Sequence, residues 1–239
     1  MANTKTTIAE SKKSIFTIIS SFGLALAISG CAAMAHEPTG VLGLYKAENP
    51  QTVQFDEGNI HALGCKLKRE GVIGAAQGSI GIDQPNRFVL LTCESSLLTD
   101  VGKRALFNSL AGKVAANVIL EGPIVDMPNS IGDEKIVGRE YIIKISHYNN
   151  KDIDGRSKSL ANIDQITSTL ADKYVTESFI GVTHASGMPT PDEVVVIYYD
   201  SPEGAALFRE NNSEVLGLIG SFNNEHVDEF VYLVGKAIR

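Results

Sequence analysis

Tryptophan is absent from the 239 residues, and only three cysteines occur, none in a Cys-x-x-Cys spacing. An excess of positive charge is also missing: 21 Lys and Arg stand against 28 Asp and Glu, a formal net charge of −7. That balance argues against a phosphate-tracking nucleic-acid binder, whose affinity comes from clustered Lys and Arg. The chain contains no G-x-x-x-x-G-K-[S/T] phosphate loop, no G-x-S-x-G elbow, no H-E-x-x-H zinc helix and no EF-hand ladder. Its five histidines, His36, His61, His147, His184 and His226, are scattered without ligand spacing, so neither a metal site nor a cofactor is expected.

What is present describes a folded body. Hydrophobic residues make up 44% and charged residues 21%, the profile of a globular chain of one domain or two small ones. Ahead of it, Lys5, Lys12 and Lys13 face a single acid, Glu10, and Ser14 to Ile28 carries no charge. A basic segment followed by an apolar core of about 7–15 residues is the pattern of an export signal, whereas a membrane-spanning helix needs about 20.

Ile28-Ser29-Gly30-Cys31 resembles the bacterial lipobox. The resemblance implies a diacylglyceryl group on Cys31, cleavage before it and acylation of the new amino terminus. Each buried methylene contributes about 0.8 kcal/mol, so several chains give a stable anchor. Ala32 stands where an Asp would resemble an inner-membrane retention signal, which points to the outer membrane, facing the periplasm. Two alternatives stay open: an uncleaved anchor over Ser14 to Ala35, and ordinary cleavage after Ala33 or Ala35. Removing residues 1 to 30 takes three lysines and one glutamate from the 21 basic and 28 acidic residues, leaving a net charge of −9.

With Cys31 lipidated, Cys65 and Cys93 remain as an even pair. In an oxidising compartment they invite a disulfide, worth roughly 3 to 3.5 kcal/mol in the chain-entropy model. The alternative is two small buried apolar side chains.

The expected fold class is α+β, a small β-rich N-terminal part with a more helical C-terminal part. Residues 1–30 are read as the lipoprotein signal, 31–50 as a tether, 51–150 as an α+β region and 151–239 as mainly helical, packed as one body. Asn86 to Thr92 and the alternating Tyr141, Ile143 and Ile145 read as strands. A helix is expected after Thr99 or Asp100, with Leu106, Leu110 and Val114 on one face. Leu160, Ile163, Ile166, Leu170 and Tyr174 define another, and Val227, Phe230, Val231, Val234 and Ile238 a last one, capped by Asn224. Ser201-Pro202-Glu203 is a helix start, and Glu193 to Tyr199 fits strand or helix. Tyr198-Tyr199-Asp200-Ser201-Pro202-Glu203-Gly204 resembles a segment of a family of uncharacterised exported bacterial proteins with a helical domain, which implies a helical module over 160 to 239.

Candidate chemistry is sparse. Gly71, Gly74, Gly78 and Gly81 lack dinucleotide spacing and fit close backbone packing. Asp152, Asp154, Asn149 and Asn150 could hold calcium or form a solvated turn. His184 with Ser186, or His147, could serve a hydrolase, and a ligand carrier would need an apolar cavity. The expectation is a lipid-anchored envelope protein with a structural or binding role and an envelope protein as partner, without catalytic residues.

Overall fold

This computed structural model describes residues 37–50, 55–78, 84–110, 114–127, 136–170 and 174–239. Residues 1 to 30 and the expected lipidation position Cys31 lie outside them.

Strand β1 (Thr39–Ala47) is followed by α1 (Glu57–Ala62), β2 (Cys65–Gly78), β3 (Arg87–Cys93), α2 (Val101–Leu110) and β4 (Val114–Asp126). The same order then recurs as β5 (Glu140–Tyr148), α3 (Ile153–Ser168), β6 (Val175–Gly181), β7 (His184–Ser186), β8 (Glu193–Tyr199), α4 (Pro202–Asn211), α5 (Ser213–His226) and β9 (Val227–Ala237). Within the first set the strands lie in the order β4-β1-β3-β2, and within the second in the order β9-β5-β8-β6. Each half is thus a βαββαβ unit with its first and third strands in the centre.

The two units join edge to edge. Gly71 to Gly78 of β2 pair with Val231 to Ala237 of β9, and Ile124 to Asp126 of β4 pair with Ser178 to Ile180 of β6. These two seams close eight antiparallel strands into a barrel, which removes most free sheet edges. Strand β7 continues the line of β6 along β4, pairing His184 with Glu121. The seams need glycine for close approach: a Cβ on Gly122 would collide with the Gly181 carbonyl, and one on Gly71 with Phe88 and the Lys236 carbonyl.

Alternation sorts the side chains. Leu42, Leu44, Phe88, Leu90, Tyr141, Ile143, Ile145, Val194 and Val196 fill the barrel. The opposite faces carry Val41, Tyr45, Val89 and Leu91 beneath α1 and α2 in the first half. In the second half, Tyr199, Phe208 and Val215 pack in the layer formed with α3 to α5.

The structure overturns the expected division into a β-rich N-terminal part and a helical C-terminal part. Val227 to Ala237 is a strand, α5 runs through Asn224 without a cap there, and residues 160 to 239 hold β6 to β9 as well as helices. The helical module implied by Tyr198 to Gly204 falls with it, because that segment is the end of β8 and the start of α4. The physical reason is two-sided burial. Val231 and Leu233 face the barrel while Phe230 packs on the helical layer, so the apolar run is continuous and its i, i+3, i+4 spacings arise by coincidence. Within the stretch read as a tether, Thr39–Ala47 forms β1, paired on both sides.

Other local readings match the backbone. Asp100 caps α2 through the Lys103 amide at 3.1 Å. Ser201 caps α4 through the Gly204 amide at 3.0 Å, with Pro202 as its first residue. No described helix is long and apolar enough to cross a membrane.

Candidate functional site: a basic cleft at an open strand edge

Asp56 starts α1 by accepting from the Asn59 amide at 2.9 Å, and eight residues later Gly64, at φ +73, turns the chain into β2. The left-handed turn at Gly64 sets α1 beside the first residues of β2. Between them lies a cleft of about 450 Å³, lined by Glu57, Ile60, His61, residues 65–69, Ile136 and Arg239. Its lining holds Lys66, Lys68, Arg69 and Arg239 against one acid, Glu57. In a chain of net charge −7 this is a local reversal of sign.

The acids that balance these cations stand around the cleft or behind it. Lys68 Nζ lies 2.5 Å from Asp126, and Arg69 Nη2 2.5 Å from Glu177, whose side chain is 1% exposed. Arg69 Nε donates to the Tyr141 hydroxyl at 2.9 Å. Burial, reinforced by the Glu177 charge, pushes the Tyr141 hydroxyl up to about 12 against the pull of Arg69 and Arg139. On the other side Arg239 Nε donates to Glu70 at 2.6 Å and Nη1 to Glu57 at 3.2 Å. Its remaining nitrogen reaches the Phe55 carbonyl, which ties the entrance of α1 to the end of β9. Glu70 also pairs with Arg87, both fully buried, and burial with the nearby Arg239 charge lowers Arg87 to about 10.

One wall of the cleft is a strand edge with no strand partner among the described residues. Strand β9 ends against Glu70, whose amide donates to the Arg239 carbonyl and whose carbonyl accepts from the Ile238 amide, each at 2.8 Å. From there back to Cys65, β2 pairs with β3 alone among the described residues. The Glu94 amide donates to the Gly64 carbonyl at 2.9 Å, so Gly64 and Glu94 face each other through the ladder. The next pair, Cys65 with Cys93, is then a non-hydrogen-bonded one, with Cα atoms 4.0 Å apart, and so is Leu67 with Leu91. The amides and carbonyls of Cys65 and Leu67 accordingly point away from β3, into the cleft.

Cys65 and Cys93, expected as a pair, are joined by a disulfide of S–S 2.02 Å that fastens β2 to β3 at this rim. The histidine candidates do not assemble. His184 Nδ1 is 3.0 Å from Thr183 Oγ1 and 3.6 Å from Glu121 Oε1, so both contacts crowd one nitrogen. A relay needs its base and its orienter on opposite nitrogens. Ser186 is two residues along an extended strand, about 7 Å away between Cα atoms. Glu121 is occupied by the Leu97 and Leu98 amides at 2.9 and 3.1 Å. His147 makes no side-chain hydrogen bond among the described residues. The Asn149 to Asp154 stretch is a turn and cap: Asn149 accepts from the Lys151 amide at 3.0 Å, and Asp152 caps α3 through the Gly155 amide at 2.8 Å. Among the described residues no group of three or more His, Cys, Asp or Glu is placed to hold a metal ion.

A second charged group, which sequence reading missed, lies under α3 and α5. Lys144 Nζ stands 3.9 Å from Glu193 and 5.0 Å over the Phe222 ring, while Arg156 lies 4.1 Å over Tyr148. Burial lowers Lys144, opposed by Glu193, and burial raises Glu193, opposed by Lys144 and Tyr148. The signal available in the sequence was Lys144 alternating with Ile143 and Ile145.

Comparison with known proteins gives a fold. No protein-family model matches the sequence, and no curated protein is similar to it. An anthrone oxidase-like protein aligns at a TM-score of 0.53 and 10% identity, over 85% of this chain and 92% of its own. A chlorite dismutase mutant from Candidatus Nitrospira defluvii aligns at 0.54 and 10%, over the same shares. This chain shares their duplicated barrel. A looser alignment, TM-score 0.42 with 11% identity over 84% of this chain and 93% of the other, is to a Rhodococcus jostii DypB variant in complex with haem.

His226 is the one buried histidine among the described residues; its ring rests on Phe222 at 5.3 Å and its Nε2 is 3.4 Å from Ser159 Oγ. The space beside it is filled by Tyr148, Phe222, Val227, Ile163 and Phe230.

Proposed function

We propose that the protein is a membrane-anchored bacterial envelope lipoprotein whose barrel is a binding body, held by Cys31 at the periplasmic face of the outer membrane. The anchor rests on Ile28-Ser29-Gly30-Cys31 behind a basic and then apolar leader. A disulfide between Cys65 and Cys93 is in keeping with an oxidising compartment. The observation that carries the binding role is the cleft of about 450 Å³, with four cationic side chains and an open strand edge in one wall. Concave surfaces with convergent polar groups are where ligands and partner segments are held.

Position adds to this. Strand β1 starts at Thr39, eight residues after Cys31, a span of about 28 Å at full extension. A barrel on so short a lead would work close to the bilayer, within reach of other envelope components.

The test is fractionation and intact-mass measurement of natively produced protein and its Cys31→Ala variant. The native form should carry the mass of a lipidated amino terminus and sediment with membranes, and the variant should do neither. A native form that is bare at Cys31, or a variant that stays processed and membrane-bound, overturns the anchor.

A further inference from the structure

We propose that the open Cys65–Arg69 edge of β2 docks an extended peptide segment of alternating acidic and apolar residues as an added strand. This deepens the binding role assigned above and rests on it.

Three observations carry the inference. The first is backbone geometry. Cys65 and Leu67 direct their amides and carbonyls into the cleft, and no described strand lies alongside them there, since β9 stops at Glu70. A row of free backbone groups is a template for strand addition, and natural barrels ordinarily abolish it. Here the rest of the barrel is closed by the β2–β9 and β4–β6 seams, so this interruption is local.

The second is charge. Lys66 is exposed and has no ion pair among the described residues, Lys68 and Arg239 are partly exposed, and the accessible acids nearby are Asp126, Glu57 and Glu94, the last beside Gly64 where the edge begins. The carboxylates that balance Arg69 and Arg239 from behind, Glu177 and Glu70, are buried and out of reach of a ligand. An incoming carboxylate would therefore meet cations first.

The third is the two-residue period of a strand. Leu67 packs toward the apolar layer of α1, together with Ile60 and Leu63. Lys66, its neighbour, faces the opposite way. A strand laid beside this edge would set one row of side chains against Leu67 and α1 and the other against Lys66 and Lys68. Apolar residues suit the first row and acidic residues the second. A soluble anion such as free phosphate would satisfy the lysines but leave the Cys65 and Leu67 amides unused, which is why a peptide is favoured.

The experiment uses the full lipidated chain in detergent and a fluorescein-labelled octapeptide alternating glutamate with valine, followed by fluorescence anisotropy. The glutamate peptide should bind at least about tenfold more tightly than its lysine counterpart. N-methylation of alternate amides in the peptide should abolish binding, a control that leaves the protein untouched. Leu67→Pro, which removes one edge donor while sparing the bonds to β3, and Lys66→Glu with Lys68→Glu should each weaken binding by about tenfold. Equal binding of the lysine peptide, or undiminished binding of the N-methylated one, overturns the proposal. So does concentration-dependent dimerisation that Leu67→Pro abolishes, because the occupant is then a second copy. A photo-crosslinking residue at His61 in intact envelopes separates the two levels. Crosslinks without peptide binding leave the binding role standing and remove strand addition. Neither signal removes both.

Discussion

Cys65 and Cys93 stand directly opposite one another on β2 and β3, and their disulfide closes a separation of 28 residues beside the cleft. Because the bond spans a hairpin, its main effect is on the unfolded chain. Reduction, or Cys93→Ala with Cys65→Ala, should lower stability by about 3.5 kcal/mol with little change in the folded spectrum. Denaturant melts with and without reductant measure it.

Glu70 and Arg87 form a fully buried pair that Arg239 joins from the end of β9. Arg239 still serves Glu70 when Arg87 is removed, but removing Glu70 strands the Arg87 charge away from water. Glu70→Leu should therefore cost about 3–5 kcal/mol, and Glu70→Leu with Arg87→Met clearly less than the single change. A double-mutant cycle by chemical denaturation decides it.

Lys144 and Glu193 give a prediction with a sign in pH. Burial holds the Glu193 carboxyl above its ordinary 4.5 and holds the Lys144 ammonium below 10.5. A carboxyl raised on folding favours the fold while protonated, so its contribution is present below 4.5 and lost as pH rises through the raised value. Glu193→Gln removes that loss. Thermal melts from about pH 4 to pH 8 should show a flatter profile at the acid end in the variant than in the parent. An unchanged slope would mean that Glu193 does not titrate differently on folding.

Two glycines should respond in opposite directions. Gly122→Ala drives a methyl group into the Gly181 carbonyl at the β4–β6 seam and should cost about 1–3 kcal/mol or more. Gly217→Ala, in α5 with nothing within 4 Å of the new carbon, should gain about 0.5–1 kcal/mol. Melting temperatures of the two variants provide the comparison.

The duplication of the chain was not legible in the sequence because the two units share a topology and not a spacing. Helix α1 has six residues where α3 has sixteen, and the single α2 is matched by α4 and α5 together. The strand of Tyr141, Ile143 and Ile145 was readable because Lys144 and Ser146 break the apolar run on its opposite face, although Ile142 on that face packs against the helical layer. Val227 to Ala237 was not, since both of its faces are covered and the pattern loses its period. Of the cleft's lining, only Cys65 and His61 stood out in the sequence, and nothing there showed that Arg239, 170 residues beyond Arg69, would share the same wall.

The sequence by itself determined what depends on composition and near neighbours: the acidic net charge and the caps at Asp100 and Ser201. The tertiary structure alone decided the order of strands, the closure of the barrel and, among the described residues, the edge left open from Cys65 to Leu67. Those features are set by hydrogen bonds between segments far apart along the chain, and a backbone amide carries no local mark of which distant carbonyl it will meet.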